Sequence, residues 1–299
     1  YPICDYYDVN AYLADEPSAR MEEFKSLVEC THEAGLKVII DFVPNHVSPD
    51  YHYDFGGLKT LHRHDYDWTD TDKIDYGCTE NWERLLNIIK FWASLGVDGF
   101  RCDMAELVPV EFWSFLTTNA KVDYPELLFI AEVYQMESYR RFLTDAGFDL
   151  LYDKSGIYDT LRAIVEKNAK DSGVPVEDWQ SAKRITWNWQ SLGDLQPYML
   201  NFLENHDEQR IASDFFCGDA RKALPAAAMS LFFQKNPFMV YSGQEFGEKG
   251  MDKEGFSGVD GRTTIFDYWS PATLSHAYDT LVASKPRGRK PATSHKEWC

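Results

Sequence analysis

Three apolar runs in this sequence are followed by an acidic side chain at the point where a buried strand would end. A buried strand does not tolerate a charged side chain unless that side chain has a partner or a task. Carboxylates that converge in this way can act as nucleophiles and as proton donors or acceptors. The three candidates are Asp103, Glu132 and Asp207.

Asp103 and Glu132 end consecutive apolar runs along the chain. If the two runs pair as strands, their backbones lie about 4.8 Å apart. Carboxyl groups about 5–5.5 Å apart cleave glycosidic bonds with retention of configuration, because one attacks while the other carries the proton. The spacing therefore predicts a retaining pair, and the surroundings of the two residues indicate Asp103 as nucleophile and Glu132 as general acid/base.

Arg101 lies two residues before Asp103, so both side chains are expected on the same side of the strand. A fixed positive charge there is expected to lower the pKa of Asp103 and keep it ionised. Glu132 stands in the apolar setting Ile-Ala-Glu-Val, which suits a proton donor. Asp207, from a later strand, is expected to hold sugar hydroxyls and stabilise the positive charge of the transition state.

Short apolar runs alternate with helical patterns along the chain, which predicts parallel strands joined by helices. One helical stripe contains Trp82, Leu85, Leu86, Ile89 and Trp92 and ends at Gly96. The repetition predicts an α/β fold, a (β/α)8 barrel of the TIM type, with about six of its eight strand–helix units in the sequence. The two first strands are expected to precede Tyr1. The predicted strands are Val38–Val43, Gly99–Cys102, Leu127–Val133, Phe148–Tyr152, Tyr198–Leu203 and Phe238–Tyr241.

Four segments, in this order, resemble the signature regions of the alpha-amylase family, glycoside hydrolase family 13. The resemblance extends over roughly residues 1–269 and implies the same barrel and the same roles for the three carboxylates. The segments are Asp41-Phe-Val-Pro-Asn-His46, Gly99-Phe-Arg-Cys-Asp103, Phe129-Ile-Ala-Glu132 and Phe202-Leu-Glu-Asn-His-Asp207.

The resemblance also implies residues that bind the substrate. Arg101, His46 and His206 are implied to contact the catalytic glucose or to position the carboxylates, and Asp41 is implied to brace Arg101. Tyr1 resembles the family's stacking tyrosine after the second strand, although a residue at a frayed terminus is an equal alternative. For the two histidines the alternative is a buried side chain with ordinary partners.

No cofactor is certain from the sequence, and calcium is possible. In calcium-dependent members of the family Asn45 would be a ligand, but Leu107 stands where those members have a histidine. No other metal ligand is predicted. His62 and His64 could share a face and bind a soft divalent ion, or belong to a polar surface loop.

Residues 1–269 are predicted to form the partial catalytic barrel, with a short loop subdomain over residues 43–78. The segment 270–299 has a different composition, since its last part is basic and lacks an apolar period. It is predicted to be a disordered tail.

The chain contains 48 acidic and 30 basic residues and has a net charge of −18. Such a surface repels nucleic acid and anionic lipid, so neither nucleic acid nor a membrane is an expected partner. No stretch reaches the roughly 18 apolar residues that a membrane span requires. A neutral α-glucan is the expected partner, and the sequence indicates no cellular location.

The favoured interpretation is an alpha-amylase-type hydrolase that cleaves internal α-1,4 bonds of starch, glycogen or maltodextrins. A glucan transglycosylase or an exo-acting maltodextrinase of the same family is the first alternative. A non-catalytic glucan-binding relative is the second, but a relic has no chemical reason to keep three convergent carboxylates.

Overall fold

The structure is a computed structural model that describes residues 2–51, 57–165, 182–233, 235–250, 259–263, 265 and 272–284. These residues form two compact units that divide after Leu151. The N-terminal unit runs from Pro2 to Leu151, and the C-terminal unit begins at Tyr152. The division falls within the range 1–269 that the sequence predicts as one barrel segment.

All six predicted strands are present, and a pair of very short strands lies in the loop after the first of them. In chain order the strands are β1 (Ile39–Phe42), β2 (His46–Val47), β3 (Asp72–Lys73), β4 (Gly99–Cys102), β5 (Leu128–Ala131), β6 (Leu150–Tyr152), β7 (Met199–Phe202) and β8 (Phe238–Met239). Within the described residues the α-helices are α1 (Arg20–Glu33), α2 (Thr79–Ser94), α3 (Val110–Asp123), α4 (Tyr139–Thr144), α5 (Asp159–Val165), α6 (Lys183–Leu192), α7 (Leu224–Phe232) and α8 (Ala272–Ser284).

The sheet of the N-terminal unit is parallel. Strand β4 pairs with β1 on one side and with β5 on the other, and β5 continues to the start of β6. Cys102 lies opposite Ala131 in the β4–β5 register. Asp103 and Glu132 follow these two residues directly, so the register delivers both carboxylates to the same edge of the sheet.

Strand β4 is buried along its whole length. The stripe predicted for α2 is confirmed, with Leu85 and Ile89 fully buried. After α2 the chain turns at Gly96, which has a φ of +94°. A Cβ atom there would lie 2.8 Å from Val28 Cγ1, so both the backbone conformation and the close approach of α1 require glycine.

The loop after β1 contains the antiparallel pair β2–β3, in which His46 lies opposite Lys73. This pair gives the predicted loop subdomain at 43–78 a small sheet of its own. In the C-terminal unit β7 and β8 are parallel, and Asn201 lies opposite Phe238. Next to β7, the N–H of Asp153 donates to the carbonyl of Leu200 over 3.1 Å.

The segment predicted as a disordered tail begins with a helix. Helix α8 spans Ala272–Ser284, so the prediction of disorder is wrong for this part. Its apolar residues, including Leu274 and Leu281, were not recognised as a helical pattern because polar residues interrupt them. Residues 285–299 lie outside the described part of the chain. Among the helices described, none has the length and apolar character needed to cross a bilayer.

Candidate active site

A single guanidinium group joins the two carboxylates of the N-terminal unit. Arg101 Nη1 donates to Asp103 Oδ1 over 2.9 Å, and Arg101 Nη2 lies 3.0 Å from Glu132 Oε2. The three side chains are 8%, 10% and 3% exposed, in the order Arg101, Asp103 and Glu132. Ion pairs at this depth are screened little by solvent, so the arginine holds both carboxylates in fixed positions.

Asp41, on β1, completes the charge cluster. Its Oδ2 lies 3.4 Å from Arg101 Nη1, which is the contact that the resemblance implies. Asp41 lies opposite Arg101 in the β1–β4 register, so the strand pairing itself brings the two together. The cluster therefore contains three carboxylates around one guanidinium.

Two further groups orient Glu132, and sequence reasoning missed both. The Met104 N–H donates to Glu132 Oε2 over 2.7 Å, and the Tyr134 hydroxyl donates to Glu132 Oε1 over 2.5 Å. Met104 has a φ of +42°, a left-handed conformation that is uncommon for a residue with a side chain. Tyr134 stands two residues after Glu132, so alternation of side chains was the signal that could have found it.

The expected lowering of the Asp103 pKa is wrong. Burial, followed by the neighbouring Glu132 carboxylate, raises the pKa of Asp103 from 3.8 to about 7. Arg101 acts in the opposite direction but does not outweigh them. The sequence argument counted the positive charge and omitted the loss of solvent, which is the larger effect at a buried carboxyl.

His46 is buried on the short strand β2. Its Nδ1 lies 3.3 Å from Asn45 Nδ2, and its ring centroid lies 5.7 Å from that of Trp68. Burial lowers the pKa of His46 from 6.5 to about 4. The ring is therefore neutral at physiological pH and can offer a hydrogen bond to an uncharged hydroxyl.

The residues near Asn45 do not fit a calcium ion. The Oδ1 of Asn45 is buried without a hydrogen-bond partner, as a ligand oxygen would be. However, Lys73 Nζ lies 2.5 Å from Asp65 Oδ2, and Asn45 Nδ2 donates to the same oxygen over 3.0 Å. The ammonium group supplies the positive charge that a cation would bring to this carboxylate. Within the described ranges no group of three or more acidic, histidine or cysteine side chains could hold a metal.

The two loop histidines have separate partners. His62 Nδ1 lies 3.3 Å from Asp72 Oδ2, and its side chain is 90% exposed. His64 Nδ1 lies 2.9 Å from the carbonyl of Tyr66. These contacts favour the interpretation as a polar surface loop.

Asp207 and His206 lie in the C-terminal unit, in the turn after β7. Asn205 Oδ1 accepts hydrogen bonds from the N–H groups of Asp207 and Glu208, each over 2.9 Å. His206 Nε2 lies 3.3 Å from Asp207 Oδ2. Tyr1, the remaining predicted site residue, lies outside the described residues.

Comparison with known proteins assigns the family. A family profile described as the alpha amylase catalytic domain matches residues 1–83 and 64–293. The chain belongs to the alpha-amylase family.

Curated relatives in the alpha-amylase family include hydrolases and transferases. Alpha-amylase MalA from Haloarcula japonica is 29% identical over 269 residues, which cover 84% of this chain and 37% of the relative. A cyclomaltodextrin glucanotransferase from Bacillus sp. (strain 1011) is 26% identical over 93% of this chain and 42% of its own length. The chain thus spans about two fifths of these relatives.

Among solved structures, an alpha-amylase from Lactobacillus plantarum superposes with a TM-score of 0.69. It is 25% identical to this chain, and the match covers 96% of this chain and 67% of that structure. The predicted fold class, a partial (β/α)8 barrel of an alpha-amylase, is confirmed.

Proposed function

We propose that the protein is a retaining glycoside hydrolase that cleaves internal α-1,4 bonds of starch, glycogen or maltodextrins. The arrangement that carries the proposal is the pair Asp103 and Glu132, held by Arg101 at the ends of adjacent parallel strands. The backbones of neighbouring strands lie about 4.8 Å apart, and carboxyl groups held this close favour direct attack rather than activation of a water between them.

The reaction would proceed in two displacements. In the first, an oxygen of Asp103 attacks the anomeric carbon while Glu132 gives its proton to the glycosidic oxygen, so the bond to the leaving sugar breaks and a glycosyl ester forms. In the second, Glu132 takes a proton from water, the water oxygen attacks the anomeric carbon, and Asp103 is released as a carboxylate. Two inversions at one carbon give net retention.

The other predicted residues would act on the sugar before and during these steps. Asp207 would stabilise the positive charge that develops on the ring. Neutral His46 would hold a sugar hydroxyl, as would His206, and Arg101 would keep Asp103 aimed at the anomeric carbon. Tyr1 would stack on a sugar face.

Transfer to a second glucan is the alternative outcome of the same chemistry. It differs only in the acceptor, since a sugar hydroxyl replaces water in the second displacement. The cyclomaltodextrin glucanotransferases among the relatives support keeping it open. The charge cluster is the same for both, so products must decide between them.

The full-length protein incubated with maltoheptaose tests the proposal. We expect shorter α-configured maltodextrins by chromatography and ¹H NMR, whereas longer or cyclic products would indicate transfer. Asp103→Asn and Glu132→Gln are each expected to lower kcat by a factor of at least about 1,000. Glu111→Gln, an exposed carboxylate on α3, is the matched control and should leave kcat unchanged. Binding without any cleavage would favour the non-catalytic alternative.

A further inference from the structure

The turn after β7 lacks the ladder of backbone hydrogen bonds that fixes a strand or helix. It contains Asn205, His206 and Asp207, which the proposed function places at the sugar. A carboxylate that stabilises a transition state must be held to within about 0.5 Å, so the turn requires anchors from its own side chains.

One anchor closes the turn on itself. Arg210 Nη1 donates to Glu204 Oε2 over 2.9 Å, and the Ile211 N–H donates to Glu204 Oε1 over 2.7 Å. The side chains of Glu204 and Arg210 are each 1% exposed. These two hydrogen bonds join the two ends of the turn.

Glu208 anchors the centre. Its Oε2 accepts hydrogen bonds from the Tyr158 hydroxyl and from Arg162 Nη1, each over 2.9 Å. Its Oε1 lies 3.2 Å from Lys154 Nζ. Two cations and a hydroxyl from the segment that follows β6 and from helix α5 thus converge on one carboxylate that is 11% exposed.

The anchor is coupled directly to Asp207. Asn205 Oδ1 accepts the N–H of Asp207 and the N–H of Glu208, so the two residues share one hydrogen-bonded turn. A displacement of the Glu208 side chain must therefore move the backbone on which Asp207 stands. Neither Lys154, Tyr158 nor Arg162 follows an acidic signature segment, so nothing in the sequence pattern reveals this role.

We propose that Glu208 is a positioning residue that holds Asp207 in its catalytic orientation through Tyr158, Arg162 and Lys154. The inference rests on the proposed function, in which Asp207 stabilises the transition state. Glu208 itself does not touch the sugar. It acts by tying the turn to helix α5, so its loss should lower kcat far more than it weakens substrate binding.

Glu208→Gln in the full-length protein tests the proposal, because glutamine keeps the shape but loses the negative charge. We expect kcat on maltoheptaose to fall about 10- to 100-fold, since a misplacement of about 1 Å can cost that much, with KM changed less than about threefold. Arg162→Met should lower kcat similarly. The double variant should lose little more than either single one, because both remove the same anchor.

Asp149→Asn is the matched control. It removes the negative charge that pairs with Lys121 and leaves one oxygen to accept the N–H of Phe129, at the start of β5 rather than at its carboxyl end. We expect a lower melting temperature with kcat unchanged. If Glu208→Gln behaved like this control, with loss of stability alone, the positioning role would be refuted.

A second measurement does not depend on activity. In protein labelled with ¹⁵N-histidine, the ring resonances of His206 should shift in Glu208→Gln and stay in place in Asp149→Asn. Unchanged His206 resonances would overturn the inference. A wild-type protein that cleaves or rearranges no α-glucan would refute the proposed function instead, and the His206 resonances would still decide whether Glu208 holds the turn.

Discussion

Arg101 contacts the two carboxylates that we propose as nucleophile and acid/base. Its positive charge reduces the electrostatic repulsion between them. Asp103 and Glu132 are both nearly excluded from solvent, which disfavours two negative charges side by side. The guanidinium offsets part of this cost but not all of it, since the pKa of Asp103 remains raised to about 7. The ionised carboxylate of Asp103 therefore destabilises the folded protein.

This cost gives a prediction for stability. Native Asp103 ionises at a higher pH than the same carboxyl in the unfolded chain, so its ionisation disfavours folding increasingly from about pH 4 to pH 7. Asp103→Asn should raise the free energy of unfolding at pH 8 by about 1 to 4 kcal/mol, because one pKa unit corresponds to about 1.4 kcal/mol.

Urea unfolding at a series of pH values measures the effect. The advantage of Asp103→Asn over wild type should shrink as the pH falls toward 4. Glu111→Asn, an exposed substitution, should show no such trend. A variant that was less stable than wild type at pH 8 would show that the ion pair with Arg101 outweighs burial.

Tyr134 provides a second prediction at this scale, because its hydroxyl donates to Glu132 over 2.5 Å. Tyr134→Phe should lower kcat on maltodextrins about tenfold, since general acid catalysis contributes about 100- to 10,000-fold and only the orientation of the acid is impaired. An aryl maltoside with a good leaving group needs less protonation and should show a smaller loss. Tyr12→Phe, at a 78% exposed position, is the control, and equal losses on both substrates would contradict the role.

The residues that end strands could be predicted, as could Arg101 two residues before Asp103, while the contact of the Met104 N–H with Glu132 could not. Asp103 and Glu132 follow apolar runs, so the local sequence pattern predicts that they lie at the ends of strands. The contact of the Met104 N–H with Glu132 depends on a left-handed backbone conformation, which the residue types at this position do not predict. The pKa of Asp103 depends on the depth of burial, which requires the packed structure.

At the scale of elements, the register between β4 and β5 positions the site. All six strands could be predicted because each lies within a short, nearly continuous apolar run. Strands β4 and β7 are buried along their whole length, whereas β1 exposes Ile39 and Asp41. Strand β4 has the predicted ends, and no strand end differs from the prediction by more than two residues, as at Leu128–Ala131. The helix Ala272–Ser284 was missed, since its apolar residues do not form the regular stripe found on α2.

The loop between β1 and α2 gives a prediction about calcium. Lys73 pairs with Asp65 beside Asn45, so chelation by EDTA should leave the melting temperature of the wild-type protein unchanged. Lys73→Met should destabilise the fold by about 1–3 kcal/mol, because a partly buried carboxylate loses its charged partner. Lys59→Met, which removes the exposed pair with Glu80, is the control and should cost less than about 1 kcal/mol. A large loss of stability with EDTA and none in Lys73→Met would contradict this interpretation.

At the scale of the whole molecule, the net charge of −18 sets the response to salt. Repulsion among like charges disfavours the compact state, and added salt shortens the screening length from about 30 Å at 0.01 M to about 10 Å at 0.1 M. The melting temperature should therefore rise over this range of sodium chloride. A fall in the melting temperature would show that attractive surface ion pairs dominate. Sucrose at matched osmolality is the control for effects other than electrostatic screening.

The fold class and the family could be predicted at this scale because four segments agree in order and spacing. The division into two compact units after Leu151 could not be predicted, because Leu150–Tyr152 is one continuous apolar run in the sequence. The sequence could not separate hydrolysis from transfer, because the two reactions differ only in the acceptor of the second displacement.

The covalent intermediate on Asp103 tests the central claim most directly. The full-length protein with Glu132→Gln should accumulate a glycosyl ester when given a fluorinated α-glucosyl fluoride, because the leaving group needs no proton and the second displacement lacks its base. Mass spectrometry of a protease digest should find the sugar on the peptide that contains Asp103. A label on another residue, or steady turnover that releases β-configured sugar without any label, would contradict the account.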